Sequence, residues 1–132
     1  MSRSRRFPSI PPADPRLEEG RRLFNAGQFF ESHEAWESLW HEVAEPERKL
    51  LQGMIQLAAA CHHLERSNAA GAAYLHARGH AKVAPWLPRH AGLELGEWLA
   101  EVDRYLRESA VRTSIEPADR HRPQLGRAPV AG

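Results

Sequence analysis

The chain has 132 residues and a mass of 14.9 kDa, enough for one domain with an apolar core and too short for a barrel-sized enzyme scaffold. Hydrophobic residues at 42% and charged residues at 27% are globular proportions that argue against a disordered or collagen-like chain. The formal net charge of +1 is unevenly spread, +3 over residues 1–16, +2 over residues 112–132 and −4 between them, so the expectation is an acidic body between two basic ends.

Residues 1–13 read as a flexible basic arm, because MSRSRRFPSIPP leads into prolines rather than an apolar stretch, which is not the pattern of a signal peptide. Asp14-Pro15 then starts a first helix running to about Ala26, with the carboxylate as cap and proline tolerated in the first turn. Gly27 is a left-handed stop, and a second helix follows at once over Gln28 to Val43, so these two form an antiparallel hairpin. Glu45-Pro46 marks the next boundary. Pro46 to Glu65, rich in Leu, Ile, Met and Ala, is the longest helix, ended by Ser67-Asn68. A fourth helix runs from about Ala69 to Val83, closed by Pro85 and Pro88. The fifth, Leu93 to Glu108, repeats Leu95, Trp98, Leu99, Val102, Tyr105 and Leu106 at helical spacing. No stretch alternates as a strand does, and none is apolar for long enough to cross a bilayer. The expected fold is therefore all-α, a single compact bundle of about five helices spanning residues 14–110, and residues 111–132 are expected to be a disordered basic tail.

Turning the second helix by about 100° per residue puts Phe29, His33, Trp36, Trp40 and Val43 on one side. His33 stands near the middle of that apolar stripe, with Glu37 one turn on. Leaving either unpaired in a core would cost roughly 1 to 3 kcal/mol, so each needs a partner. The third helix is apolar over most of its circumference but carries a narrow line of Gln52, Gln56, Ala59 and His63. The expectation is that His33 and Glu37 meet Gln56 and His63 between the second and third helices, in one buried or cleft-lining network. Such a network has two readings. It is a hydrogen-bonded cluster that fixes the register of two helices, or it is a pocket for a small polar ligand or a metal, with His33, Glu37 and His63 as its innermost groups.

Other motifs fall short. His33-Glu34-Ala35-Trp36-Glu37 is an H-E-x-x-E string in which Glu37 replaces the second histidine of the zinc-protease pattern, so protease activity is not expected. No glutamate precedes a histidine by three residues, which excludes the ferritin-type pairing. His76 and His80, at i and i+4, could chelate a divalent ion, but they share their helix with Arg78 and Lys82, and an exposed pair without metal is the favoured reading. Cys61 falls on an apolar side and behaves as a small hydrophobe rather than a nucleophile. Phosphate loops, nucleophile elbows and dinucleotide fingerprints are absent. A lone cysteine excludes a disulfide framework and a cysteine-only zinc site, pointing to a reducing cytoplasm. The arginine-bearing ends could touch phosphates, yet the body offers neither a basic face nor a stacking motif, so a nucleic-acid partner is not expected.

The string Gly20-x-x-Leu23-Phe24-Asn25-x-Gly27-x-Phe29-Phe30-Glu31-x-His33-Glu34-x-x-Glu37-x-x-Trp40, the stretch Glu47-Arg48-x-Leu50-Leu51-Gln52-Gly53-x-Ile55-Gln56-Leu57-Ala58 with His63, Arg66 and Asn68, and Gly71-Ala72 resemble the domain of unknown function 309 family of small bacterial and archaeal proteins. The resemblance covers about Leu17 to Leu87 and departs at Ser67, where the family carries glycine. It implies a compact α-helical domain of no established activity, with recurrent polar positions corresponding here to His33, Glu34, Glu37, Gln52, Gln56, His63 and Asn68. The helical hairpin around Asn25-x-Gly27-x-Phe29 also looks like a tetratricopeptide-type pair, but no repeat follows.

The resulting expectation is a soluble, cytoplasmic helical domain that binds a small polar ligand or metal between its second and third helices. If it is an enzyme, His33 or His63 is the general base and Glu37 its orienting partner. The competing expectation is a protein-interaction module in which the polar cluster is architectural and Trp86, Trp98 and the arginine arms make the contacts. No cofactor, metal or oligomeric state is assigned by the sequence.

Overall fold

The first helix, α1 (Pro15–Asn25), begins where Asp14 accepts the Arg16 backbone N–H at 2.8 Å and proline takes the first turn. It ends at Gly27, whose φ of +82° turns the chain back, so that α2 (Phe29–Trp40) runs antiparallel against it. The computed structural model describes residues 9–111 and 122–128. After α2 come α3 (Glu47–Glu65), α4 (Ala69–Val83), a single 3-10 turn (Ala84–Trp86), two-residue strands β1 (Arg89–His90) and β2 (Leu93–Glu94), and α5 (Leu95–Val111). The fold is the expected five-helix, all-α bundle. α2 stops three residues earlier than its apolar pattern suggests, because Glu42 and Val43 donate their N–H groups to Leu39 and Trp40 in tight i→i+3 turns.

α3 is the central rod. Leu50, Leu51, Met54, Ile55, Leu57, Ala58, Ala60 and Cys61 are all buried, which matches its apolar circumference; α2 packs on one side of it and α4 on another. Gly53 and Gly79 let α3 and α4 approach closely. A Cβ on Gly79 would lie 2.7 Å from Leu57 Cγ and 2.9 Å from the Gly53 carbonyl, so a larger residue would push the helices apart. At the other end of the core, Phe24 of α1, Phe29 and Trp36 of α2 and Trp98 of α5 form one ring cluster with centroid separations from 4.9 to 6.1 Å. The Trp36 indole N–H is satisfied by the Leu17 carbonyl at 3.1 Å.

Three further features depart from the sequence expectations. The short antiparallel pair β1–β2, joined through Ala91 and Gly92 at φ +52° and +76°, is a two-residue hairpin turn too small to leave an alternating pattern. Ile10, in the stretch expected to be a free arm, is 3% exposed and donates its N–H to Glu47 Oε1 at 2.6 Å. Residues 122–128, expected in a disordered tail, lie on the body. Leu125 is fully buried, its N–H donates to Asn25 Oδ1 at 2.7 Å and its carbonyl accepts from Arg21 Nη1 at 2.9 Å. Arg127 bridges Leu93. Residues 1–8, 112–121 and 129–132 of the two expected ends lie outside the described residues. No helix among the described residues is long and apolar enough to cross a membrane.

Candidate functional site

The expected four-residue network does not assemble. Gln56 looks to α4, where its Oε1 accepts from Lys82 Nζ at 3.1 Å. His63 sits at the α3–α4 turn, with its Nδ1 3.0 Å from Asn68 Nδ2. Asn68 is the N-cap of α4, its Oδ1 accepting the Gly71 N–H at 3.0 Å. This pair has an architectural use: it closes a turn whose Ser67 adopts φ +63°, the left-handed conformation that favours glycine. His33 keeps only Glu37, with Nε2 4.0 Å from Oε1, an ion-pair separation beyond hydrogen-bond reach. Glu34 is exposed and Gln52 half-buried. The reason is azimuth. Gln56 and His63 belong to the flank of α3 that meets α4, and the residue that faces α2 is His62.

That shift by one residue builds a different site on the same pair of helices. Phe30, 44% exposed at the start of α2, lies against the His33 ring at 5.6 Å and the His62 ring at 5.2 Å. Beside them a cleft of about 490 Å³ is lined by Gly27, Gln28, Phe29, Phe30, Glu31, His62, Glu65 and Arg66. Its walls carry both signs of charge. Glu65 is anchored from behind, accepting from the Tyr105 hydroxyl at 3.3 Å with Arg122 Nε 3.6 Å away. Burial, with Arg66 nearby, holds the His62 imidazole below its ordinary range, so it is neutral at neutral pH and can donate or accept a hydrogen bond. The same seam carries polar atoms without partners. His33 Nδ1, Trp40 Nε1 and Arg48 Nε are buried and have no hydrogen bond among the described residues, although the Arg48 guanidinium stacks over the Trp40 ring at 4.0 Å.

A second cluster lies on the far side of the bundle. His76 and His80 of α4 converge on one oxygen of Asp103 of α5, His76 Nε2 at 2.6 Å and His80 Nδ1 at 3.1 Å. The histidine pair is legible as an i, i+4 motif; Asp103 is separated from His76 by 27 residues, and only helix packing brings them together. Sequence reasoning also missed Glu47. Its largely buried carboxylate joins the Ile10 N–H and the His90 imidazole, a knot between the chain's beginning and the β-hairpin. Of the aromatic anchors in the interaction-module expectation, Trp98 is fully buried among Phe24 and Trp36 and cannot meet a partner. Trp86 is half-buried, its ring 4.6 Å from that of His90.

No curated protein matches the chain. The segment that matches a family begins at the first buried residue of α1 and ends within α4, so it contains the cleft between α2 and α3 and none of His76, His80 and Asp103. It also stops short of the Leu87 limit expected from the motifs. Residues 17–75 match the family model Domain of unknown function (DUF309), the family that the motifs resemble.

Proposed function

We propose that the domain is a binding module whose site is the cleft between the first turn of α2 and the last turn of α3, and that it takes a small polar ligand. The observation that supports this reading is Phe30. A large aromatic side chain left 44% exposed against two imidazoles, at the mouth of a cleft with both acidic and basic walls, offers a flat apolar face on which a ligand can stack beside groups that fix its orientation. Such a surface suits a compact molecule with one flat or apolar part, for Phe30, and groups of both polarities, for Arg66 and for Glu31 and Glu65. His62 lends a donor or acceptor without adding charge. The unpartnered Nδ1 of His33, next to the Phe30 ring, supports the same reading, because buried polar atoms ordinarily have partners. The site requires no reaction, and none is assigned.

The test is two-dimensional amide NMR of the untagged protein against a fixed panel of amino acids, dicarboxylates and nucleosides. Shifts are expected at residues 27–33 and 62–66, abolished by Phe30→Ala and Arg66→Ala and retained by His41→Ala, a change at the exposed C-cap at the other end of α2. A panel whose members all leave those resonances unmoved, or shift other surfaces equally, would reject the cleft as a ligand site.

A further inference from the structure

We infer that His76, His80 and Asp103 form a binding site for a divalent transition-metal ion, with zinc as the ion they fit best. Two histidines on successive turns of α4 and one carboxylate from α5 each offer one ligand atom, and the three atoms lie within 4.8 Å of one another. The two imidazole nitrogens already converge on the same carboxylate oxygen, at 2.6 and 3.1 Å. Around a tetrahedral zinc, with bonds of about 2.0–2.1 Å, neighbouring ligand atoms stand roughly 3.3 Å apart. Closing the site therefore asks His76 and Asp103 to separate by less than an ångström, with the ion taking the place of the hydrogen bond between them.

The donor set decides the class of ion. Two imidazoles and a carboxylate suit zinc, cobalt, nickel or iron, whereas calcium and magnesium demand shells of oxygen. The setting favours entry without leaving the ligands loose. Side-chain exposures are 26% for His76, 45% for His80 and 20% for Asp103, so the cluster opens to water at one edge while its acid is mostly sheltered. Asp103 lies between Val102 and Tyr105, both buried, which fixes its helix in the core. Three protein ligands leave a coordination position for water or another small ligand. His76 also lines a neighbouring cleft of about 300 Å³ with Leu64, Ala72 and Leu106 among its walls. The inference is independent of the α2–α3 cleft, since it uses none of its residues.

The experiment is a titration of untagged, chelator-treated full-length protein with zinc in competition with a chromophoric chelator, and in parallel with cobalt, followed by its visible absorption. One equivalent is expected to bind. Losing a direct ligand should cost more than the roughly 10–100-fold typical of an outer hydrogen-bond partner, so His76→Ala, His80→Ala and Asp103→Asn should each weaken binding by at least about 100-fold and abolish the cobalt spectrum. His41→Ala and His62→Ala, which remove other imidazoles, should change neither readout. Circular dichroism of each metal-free variant verifies the fold, and Asp103→Asn keeps the carboxylate's shape should the alanine variants unfold. No stoichiometric uptake by the wild-type chain, uptake that survives the His76→Ala/Asp103→Asn pair, or equal loss in the His41→Ala control would each overturn the assignment.

Discussion

Replacing Leu125 by alanine tests whether residues 122–128 belong to the fold. Leu125 is fully buried and stands in a stretch of Arg, Pro, Gln and Gly that otherwise reads as solvated. Buried Leu→Ala changes cost about 2–5 kcal/mol, the spread reflecting how far the surroundings collapse into the space. Here the segment is short and closes over the body from outside, so it can relax, which places the expected loss at about 2–3 kcal/mol, the lower part of that range. For a chain of this size each kcal/mol moves the midpoint by roughly 4 °C, so Tm should fall by about 8–12 °C. A ceiling applies, because a segment that detaches altogether cannot lose more than its own docking energy, the backbone bonds to Asn25 and Arg21 included. Truncating the chain after residue 121 measures that ceiling, and the loss in Leu125→Ala should not exceed it. Urea unfolding of the wild-type, substituted and truncated proteins is the assay. A loss below about 0.5 kcal/mol in Leu125→Ala, the level of an ordinary surface change, would mean that Leu125 is not a core residue and that residues 122–128 do not dock on the body.

Ser67→Gly should stabilise the domain by about 0.5–1 kcal/mol. The left-handed backbone costs a non-glycine residue about 1–2 kcal/mol, partly offset by the extra freedom of glycine in the unfolded chain, about 0.5–1 kcal/mol; a rise in the urea midpoint at unchanged m-value is the readout, and a fall would show that the serine side chain holds the turn. The His62 ring should titrate below 6.5 by NMR and move upward in Arg66→Ala. Because its folded pKa is lowered, the unfolded chain binds the proton first, so this group's contribution to stability is complete above 6.5 and is lost as the pH falls toward the folded value. Cys61 is fully buried, and burial, with Glu65 nearby, drives its thiol far above the ordinary range. A thiol-specific disulfide reagent should therefore label it only at the rate of unfolding, and prompt labelling of the native protein would contradict its place in α3.

Local signals in the sequence are reliable wherever backbone chemistry decides the outcome. Asp14 before Pro15, Gly27 after Asn25-Ala26 and Ser67-Asn68 after Glu65 each name a helix end within a residue or two of its place, because caps and left-handed stops are short-range events. The apolar circumference of α3 likewise names the central rod. Azimuth between helices is less legible. A wheel assigns residues to sides but not sides to neighbours, so it matches Gln56 and His63 to α2 when they meet Lys82 and Asn68, and it gives no reason to single out His62. The docking of Leu125 has no signal at all, since one leucine among polar residues sets no period. Asp103 shows the same limit, its partners lying on another helix.

Why the chemistry sits at the seams follows from how α3 is packed. Its neighbours cover it on more than one side, and where Gly53 and Gly79 bring it against α4 no larger side chain fits between the two backbones, so the Gln56–Lys82 pair lies half-buried beside that contact. Polar side chains of α3 therefore reach solvent only along the helix flanks and at its ends, where His62, Glu65 and Arg66 line the cleft against α2. The same close approach commits the inner side of α4 to α3 and turns His76 and His80 toward α5, where Asp103 meets them. The two candidate sites thus share one cause, a central helix too apolar to hold either. They differ in provenance. The cleft lies wholly within residues 17–75, whereas all three members of the His-His-Asp cluster lie beyond them, so the ligand binding proposed for the first and the metal binding inferred for the second are separable, and removing either set of side chains leaves the other in place.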